Sequence, residues 1–566
     1  MKKRIILMIT LAMSMAGCND NFLDITPLDR IVDEQVWQDE NLVTLYVNGL
    51  YDGVPHGFTT NSWSKYTDEA YGDNTWLMGA WNPDNITGYA ADANYIDYYK
   101  RAYQYIRRCN IFLEEIGTSS VPEANRSALT AQVKFNRAFI YANLLWRYGG
   151  MPIVEHIYDL QDREKISRNS YQQVLDYIVK NLDEAIPALP EKYAPGNISF
   201  GRATKHAALA LKSRLYLYSA SALNNTTNDK AKWQLAADAA KAVIDLGAAY
   251  KLVDRYENAF LAVNEEIIYA RTFNAINGHL YTFTNVNGTY GGWGGFGGRN
   301  VPSQNFIEQY EMANGMLPLN ADGTVNAASG YDPQNPFVNR DPRFYQTVIY
   351  NGDTFRPEAR GSAPAKYDVT LGVSGFDAAG KPILNNVNGI DNPRINGDNS
   401  LTGYSWKKFI DRSLPISRSN GGYPQPWIFF RLGEIYLNYA EALFELGNET
   451  EARTYVNLIR KRAGLPDLAA TITGAALRDR IRHERQIELV GEGHRFFDVR
   501  RWKIAPVSEA KHIRGVEIYK LPDGKLVFEN KVLIERPVWN DQFYWIPIPR
   551  TEINKDSGLE QSPLWN

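Results

Sequence analysis

The chain has 566 residues, which is too long for one ordinary hydrophobic core and predicts several packed subdomains or one extended array. The 61 Lys and Arg against 64 Asp and Glu leave a net charge of −3, which argues against the basic surface of a nucleic-acid-binding protein. Two cysteines exclude a disulfide scaffold and a zinc cluster of several thiolates. Aromatic residues make up 13% of the chain, and this excess indicates a stacking surface.

The N-terminus has the pattern of an export signal. Lys2, Lys3 and Arg4 precede a short apolar run, and small residues lead to Cys18. The run is too short to span a bilayer as a mature helix, so we interpret residues 1–17 as a cleaved lipoprotein signal peptide. The Ala-Gly pair before Cys18 resembles a bacterial lipobox, which implies that Cys18 is acylated and becomes a lipid anchor. A plain signal peptide that discards Cys18 is the alternative.

Residues 18–250 are predicted to form an N-terminal helical region. Apolar residues recur there at helical spacing, and Ser170 with Gln173 has the pattern of a capping box. The predicted helix pairs lie near residues 39–116, 122–186, 204–247 and, later in the chain, 427–464. These pairs have the length of tetratricopeptide units with an imperfect period. The predicted fold class is therefore mainly α, with a degenerate tetratricopeptide-like scaffold of stacked helix pairs.

An irregular, loop-rich subdomain is predicted to be inserted at residues 251–426. This region is rich in Gly, Asn, Asp and Pro and lacks sustained helical stripes, which favours short strands, turns and small helices. Residues 427–566 are predicted to return to helices and to end in an irregular tail. The predicted elements there are helices at 427–446, 450–463 and about 475–490 and short strands at 516–519 and 526–529. Cys109 falls in a helical pattern and is predicted to be a buried structural thiol.

A dense block of charged residues accompanies the last predicted helix. The block contains Glu484, Arg485, Glu488, Arg495, Asp498 and Arg500. Such a density is compatible with acid–base catalysis. Arg–carboxylate forks are nevertheless common in structural networks, so we favour an ion-pair network that pins the last helix to the following loop. The block is therefore expected to matter for folding rather than for ligand binding.

Several segments together carry a family resemblance. The segments are 431–442, 483–502, 545–549, the N-terminal 22–27 and 561–563, where Gln-Ser-Pro stands in place of a more usual Gln-Asn-Pro. Together they resemble the SusD/RagB family of outer-membrane nutrient-binding lipoproteins of Bacteroidetes, over essentially the whole chain. The resemblance implies a tetratricopeptide-like scaffold with a variable region. It also implies a protein that captures oligosaccharide and acts as a lid on a SusC-like TonB-dependent transporter.

The first candidate ligand-binding segment, here called the first loop, lies near residues 60–90. Three tryptophans, Trp63, Trp76 and Trp81, fall within it among carboxylates and amides. A sugar presents an apolar C–H face and a rim of hydroxyls, so its site needs flat aromatics and polar partners. Burial in the core would also explain Trp63 or Tyr66. The turn-forming residues around Trp76 and Trp81 favour exposure of those two rings. The predicted glycan-binding residues are Tyr66, Asp68, Asp73, Asn74, Trp76 and Trp81.

The second candidate, here called the second loop, is the glycine-rich segment 288–300. Residues 292–297 match G-x-G-x-x-G, but no strand–turn–helix unit surrounds them and a Trp fills the first spacer, so we reject a dinucleotide site. The glycines instead predict a flexible loop that presents aromatics and closes over a ligand. A purely structural turn whose aromatics plug a seam is the alternative. The predicted glycan-binding residues are Tyr290, Trp293, Phe296 and Arg299.

Two classes of function are compatible with these features. A glycan-binding protein needs aromatics on the loops of a scaffold, whereas an exported glycoside hydrolase needs a carboxylate pair roughly 5–10 Å apart. No acid stands in a recognisable catalytic motif, so we predict a binding protein with no catalytic residues, and a peptide-binding RagB-like protein is the alternative. No cofactor or metal site is predicted, although calcium bound by scattered oxygens stays open. The predicted partners are an oligosaccharide or polysaccharide, a SusC-like transporter, and the outer membrane at the cell surface through Cys18.

Overall fold

Long helices dominate the structure. The computed structural model describes residues 33–59, 62–72, 79–89, 96–158, 165–293, 300–354, 366–416, 422–509, 511–535 and 539–565. The long helices within these ranges are α1 (Glu40–Leu50), α2 (Tyr99–Glu115), α3 (Glu123–Tyr148), α4 (Tyr171–Ala185), α5 (Lys205–Ala220), α6 (Lys230–Ile244), α7 (Leu432–Glu445), α8 (Glu449–Ala463) and α9 (Gly474–Glu488). Shorter helices span Asp33–Val36, Ile86–Tyr89, Asn258–Leu261, Tyr281–Asn285, Gln304–Ile307, Pro342–Thr347, Arg495–Arg501, Ala505–Ser508 and Arg550–Ile553. The predicted mainly-α class is confirmed.

The helices begin and end where local chemistry dictates. Ser170 caps α4 by accepting from the Gln173 N–H, and the Gln173 side chain accepts from the Ser170 N–H, so the predicted capping box is confirmed. Gly149 ends α3 with a φ of 78°, and Gly464 ends α8 with a φ of 81°. Such left-handed backbone is accessible to glycine without a Cβ clash.

Consecutive long helices pack side by side. The helix α2 packs on α3 and α3 on α4, then α5 on α6, α6 on α7, and α7 on both α8 and α9. Small residues line the close approaches, since Ala236, Ala240 and Ala440 are fully or almost fully buried. Stacked pairs of this kind bury a shared seam and give a rigid scaffold, as the sequence predicts.

Short strands connect the irregular regions to the scaffold. The strands are β1 (Ala70–Tyr71), β2 (Ile267–Arg271), β3 (Val301–Pro302), β4 (Val348–Ile349), β5 (Leu371–Phe376), β6 (Pro382–Asn388), β7 (Ser405–Trp406), β8 (Trp427–Arg431), β9 (Ile513–Lys520) and β10 (Leu526–Ile534). A four-stranded sheet has the order β10-β9-β5-β6, with β5 and β9 parallel, while β1 pairs with β3, β2 with β8, and β4 with β7. Both short strands predicted in the C-terminal tail lie inside β9 and β10 and are confirmed. The division of the chain at residues 250 and 426 stays a prediction, because one core cluster runs across both points.

The helix predicted from residue 427 begins later than expected. Residues Trp427–Arg431 form β8, which pairs antiparallel with β2, and helix α7 starts at Leu432. All five residues of β8 are buried, so the segment has no polar face and no periodicity that distinguishes a strand from a helix. The run Trp-Ile-Phe-Phe has high strand propensity, and pairing with β2 provides hydrogen-bond partners for its backbone N–H and C=O groups.

The charge block forms a buried ion-pair network. The five N–H groups of Arg431 all donate, at 2.7–2.8 Å, to the carboxylates of Glu266, Glu488 and Glu492 and to the Glu488 carbonyl. Arg343, from the irregular region, donates to Glu484 at 2.6 Å. The network thus joins α9 to the irregular region and to β8, and the predicted structural role is confirmed.

Two further observations concern burial and hydropathy. Cys109 lies on α2 as a free, fully buried thiol, and burial raises its pKa to about 12, as expected for a structural cysteine. In the part of the chain that the structure describes, no helix combines the length and the apolar character needed to cross a membrane.

Candidate ligand-binding site

A two-stranded ladder brings the two candidate loops together. In β1 and β3, Ala70 lies opposite Pro302 and Tyr71 opposite Val301, and the strands are antiparallel. The first loop therefore leaves β1 at the same end at which the second loop enters β3. Although the two loops are more than 200 residues apart in sequence, their described ends are neighbours in space.

Buried polar side chains hold this end of the ladder. Ser64 Oγ donates to Asn300 Oδ1 at 3.0 Å, and Asn300 Nδ2 donates to Asn285 Oδ1 at 2.9 Å. At the opposite end of the ladder, the Ser303 N–H donates to the Glu69 carbonyl at 2.9 Å. Ser64, Asn285 and Asn300 are all almost completely buried, where hydrogen bonds are costly to break. Sequence reasoning did not assign these positioning residues, because nothing local in the sequence marks them as partners.

Trp293 is the exposed aromatic of the second loop. Its side chain is 37% exposed, and it is the only Trp, Tyr or Phe that reaches the exposed class in the described ranges. Its backbone N–H donates to the Phe283 carbonyl at 2.7 Å, and the two rings lie 6.3 Å apart. A partly exposed indole on a backbone fixed by a hydrogen bond is the kind of group that stacks on the apolar face of a sugar.

Two glycines make the turn before Trp293 possible. Gly291 has a φ of 88°, in the left-handed region. A Cβ at Gly292 would lie 2.1 Å from the Val286 carbonyl oxygen, so only glycine fits there. The turn thus requires glycine at both positions, whereas residues 294–299, which make up most of the loop predicted to be flexible, lie outside the described ranges.

Tyr290 has an anchoring position rather than the exposed one expected from the sequence. It is 8% exposed, its ring stacks on Tyr367 at 6.4 Å, and its hydroxyl donates to Asp391 Oδ2 at 3.3 Å. Burial raises the pKa of Asp391 to about 6. The Tyr290 ring face is therefore covered by the irregular region.

Tyr66 and Trp81 of the first loop pack on each other inside the protein. Tyr66 is 0% and Trp81 is 1% exposed, with ring centroids 5.0 Å apart. For Trp81 this differs from the expectation of an exposed ring. The turn that follows Trp81 is fixed, because Asn85 Nδ2 donates to the Ala80 carbonyl at 2.7 Å and the Arg550 N–H donates to the Pro83 carbonyl at 2.7 Å. This local clamp keeps the indole under the surface.

The acidic pair of the first loop is tied to the charge block. Arg495 donates to both carboxylate oxygens of Asp68, at 2.9 and 2.8 Å. Glu69 is 3% exposed, and burial raises its pKa to about 8, while Arg495 opposes and Asp68 adds to the shift. Asp68 is thus neutralised by a bidentate partner rather than presented to a ligand.

The remaining predicted residues lie outside the described ranges. Asp73, Asn74 and Trp76 fall within 73–78, Phe296 and Arg299 within 294–299, and Cys18 within 1–32. Across the described residues, no group of three or more His, Cys, Asp or Glu side chains could hold a metal ion. The described geometry is that of a helical scaffold on which the ends of the two loops lie side by side and Trp293 is partly exposed.

Comparison with known families places the chain. A sequence model of the SusD family matches residues 266–565, and a second one, described as starch-binding and associating with the outer membrane, matches residues 21–217. Together these matches span both the helical scaffold and the irregular region. The chain belongs to the SusD family.

Named relatives and solved structures agree with this assignment. The starch-binding protein SusD of Bacteroides thetaiotaomicron is 27% identical over 68% of this chain and 66% of its own length. A SusD-like protein of Bacteroides ovatus is 23% identical over 100% of this chain and 98% of its own. A SusD-like crystal structure from Bacteroides fragilis is 31% identical, has a TM-score of 0.75, and matches 95% of this chain and 100% of its own. A second B. fragilis structure, of a SusD-like carbohydrate-binding protein, has 25% identity, a TM-score of 0.72, and coverage of 93% and 100%.

Proposed function

We propose that the protein is a non-catalytic glycan-binding lipoprotein at the outer-membrane surface. The observation that carries this proposal is the convergence of both aromatic-rich loops at one end of the β1–β3 ladder, with Trp293 exposed there. The starch-binding and carbohydrate-binding names of relatives support the ligand class, as does the described outer-membrane association of the matched family. Trp76 and Arg299 are the proposed partners of Trp293 from the two loops.

The expected affinity is modest. A stacked ring contributes about 1 kcal/mol beyond its buried area, and exposed hydrogen bonds add little, so two or three rings give micromolar to millimolar dissociation constants. A long polysaccharide offers repeated epitopes, and binding to it gains from avidity. A shallow site of this kind suits capture and handover better than tight storage.

Two carboxyl groups of the first loop, those of Asp68 and Glu69, are engaged or buried and so favour binding over hydrolysis. Hydrolysis of a glycosidic bond needs two accessible carboxyls on either side of the bond. Asp68 is held by Arg495 through two hydrogen bonds, and Glu69 is 3% exposed. Neither group is placed to protonate a leaving oxygen or to attack a sugar.

Affinity electrophoresis tests this proposal. The purified protein is run through gels that contain starch or other α- and β-glucans, with reducing ends assayed afterwards and peptide mixtures tested by calorimetry. Retardation by a glycan without release of reducing ends is the expected result. Reducing ends that accumulate would indicate a hydrolase. Heat from peptides without retardation by any glycan would instead assign the chain to the peptide-binding alternative.

Anchoring and partnership are tested separately. We propose that a lipid on Cys18 holds the protein at the outer membrane, where it covers a SusC-like TonB-dependent transporter. Cys18→Ser is expected to abolish labelling by a fatty-acid analogue and to release the protein from the membrane fraction, with Cys109→Ser as the matched control. Affinity purification of the wild type is expected to recover the transporter. Recovery of the protein without the transporter would contradict the proposed complex between the two.

A further inference from the structure

A second concave site lies on the helical scaffold, lined by none of the loop residues described above. It is a cleft of about 270 Å³ between α2, the segment around residues 152–158 and the C-terminal segment 552–559. Its walls include Tyr99, Tyr103, His156 and Tyr158. The volume is at the small end of the range for ligand pockets, which suits one or two sugar rings.

Aromatic rings from two segments line the cleft in pairs. Tyr99 and Tyr103 lie one turn apart on α2, with ring centroids 4.9 Å apart. His156 and Tyr158 lie 4.3 Å apart. The Tyr103 hydroxyl donates to the Pro152 carbonyl at 2.8 Å, which fixes α2 against the second segment. The walls are therefore preorganised rings of the kind that stack on C–H faces.

Polar atoms of three side chains in the cleft are left without a hydrogen bond among the described residues. The Tyr99 hydroxyl, the His156 imidazole and the Glu552 Oε2 atom make no hydrogen bond within the described ranges, although Glu552 Oε1 accepts from Lys555 at 2.6 Å. The Glu552 side chain is only 15% exposed. A donor, an acceptor and an imidazole that can be either thus meet beside aromatic rings, which matches the hydroxyl rim of a sugar.

The C-terminal wall is held rigidly and is also tied to the first loop. Asp556 accepts from the Ile166 N–H at 2.9 Å and from the Gly558 N–H at 2.8 Å. Arg550 contacts the first loop through the Pro83 carbonyl at 2.7 Å and through Asp84 at 3.2 Å. The segment that supplies Glu552 therefore lies between the cleft and the first loop.

We propose that this cleft is a second binding site for a pyranose ring of the captured glycan. The inference rests on the proposed function for the ligand class, but it uses different residues. Tyr103 and Tyr158 present ring surface, and Tyr99, which is 8% exposed, lies beneath Tyr103, while the Tyr99 hydroxyl, His156 and Glu552 hydrogen-bond to hydroxyl groups of the sugar. Two sites on one rigid scaffold would let one polysaccharide chain, or two neighbouring chains, engage with avidity.

Hydrogen exchange measured by mass spectrometry tests the inference on the purified full-length protein. The probes are maltohexaose and laminarihexaose, with a pool of hexapeptides as the competing ligand class. In the wild type, one hexaose is expected to slow exchange in peptides that cover 152–158 and 550–559. The double variant Tyr99→Phe/His156→Ala is expected to need at least fivefold more hexaose for the same protection. Tyr105→Phe is the matched control, because Tyr105 lies on the same helix but does not line the cleft.

The outcomes separate this inference from the proposed function. Protection at the cleft that persists in Trp293→Ala supports the second site, even if no binding depends on Trp293. Protection confined to the two loops, no protection by either hexaose, or equal protection in the double variant would overturn the second site. Protection of the cleft by the hexapeptides alone would overturn it as well and assign the cleft to a peptide.

Discussion

Around Arg431, each guanidinium N–H donates to a buried oxygen, and every neighbouring carboxylate is in turn paired. Around Trp293, by contrast, the ring lies 6.3 Å from that of Phe283 in a tilted arrangement, and the side chain is 37% exposed. Both regions bring together residues far apart in sequence. The region around Arg431 has its polar groups paired within the protein. The region around Trp293 instead exposes apolar ring surface to water, which is unfavourable and can be relieved by a bound ligand.

This contrast separates residues that hold the fold from residues that meet a ligand. The charge block is rich in the groups that enzymes use for catalysis, yet its charged side chains pair with one another or with oppositely charged side chains elsewhere in the protein. Trp293 belongs to a short glycine-rich turn with little chemistry of its own. Exposure on a rigid backbone, rather than the density of reactive groups, is therefore the better indicator of the site in this protein.

Arg431→Ala is expected to have the largest effect. It leaves Glu266, Glu488 and Glu492 buried with fewer partners, and breaking a buried ion network costs about 3–5 kcal/mol. Urea unfolding measures the loss. Lys241→Ala, which breaks the exposed pair with Asp245, is the control and is expected to leave the midpoint unchanged. A wild-type midpoint for Arg431→Ala would show that the network does not stabilise the fold.

Trp81→Ala is expected to behave like a core substitution. Trp81 is 1% exposed and packs on Tyr66, and replacing a buried Trp by Ala costs about 3–5 kcal/mol in unfolding free energy. Urea unfolding again gives the value, and glycan affinity of the remaining folded protein is expected to change little. If Trp81→Ala is as stable as the wild type but no longer binds glycan, Trp81 contacts the ligand after all.

Glu69→Gln is expected to change how stability depends on pH. The folded pKa of Glu69 is about 8 against an ordinary value of 4.5, so the folded state holds a proton that the unfolded state loses. Its contribution is fully present below pH 4.5 and is lost as the pH rises toward 8, with a slope of about 1.4 kcal/mol per pH unit.

The difference between wild type and Glu69→Gln isolates this contribution from those of other titrating groups. Urea unfolding at several values between pH 5 and 8 is the measurement. The variant is expected to gain stability relative to the wild type as the pH rises. Parallel curves for the two proteins would mean that Glu69 titrates in the folded state as it does in the unfolded chain.

Trp293→Ala is expected to have the smallest effect on folding and a clear effect on binding. The side chain is partly exposed, so the unfolding free energy is expected to change by less than about 1 kcal/mol. Loss of one stacked ring predicts roughly tenfold weaker glycan binding by calorimetry, or about 1.4 kcal/mol. Trp293→Phe keeps a ring and is expected to recover part of the affinity. Unchanged binding in Trp293→Ala would remove the second loop from the proposed site.

The sequence by itself determined the helical class, the capping box at Ser170, the structural role of the charge block and the two loops worth testing. Each of these depends on local spacing or on residue types whose pairing is chemically restrictive. The family resemblance agrees with the comparisons, and its two longest segments, 431–442 and 483–502, lie within the residues that the SusD family model matches.

The tertiary structure alone decided which aromatic residues are exposed. Trp81 and Trp293 both stand among turn-forming residues in sequence, yet Trp81, beside a turn tied to Arg550, is 1% exposed, and Trp293, after a turn that requires Gly292, is 37% exposed. Likewise, β8 became a strand because β2 pairs with it, and the cleft at Tyr99 exists only because a C-terminal segment packs near α2. The burial of a side chain and the pairing of a strand depend on residues far away in the chain. Short-range sequence patterns do not specify which residues those are.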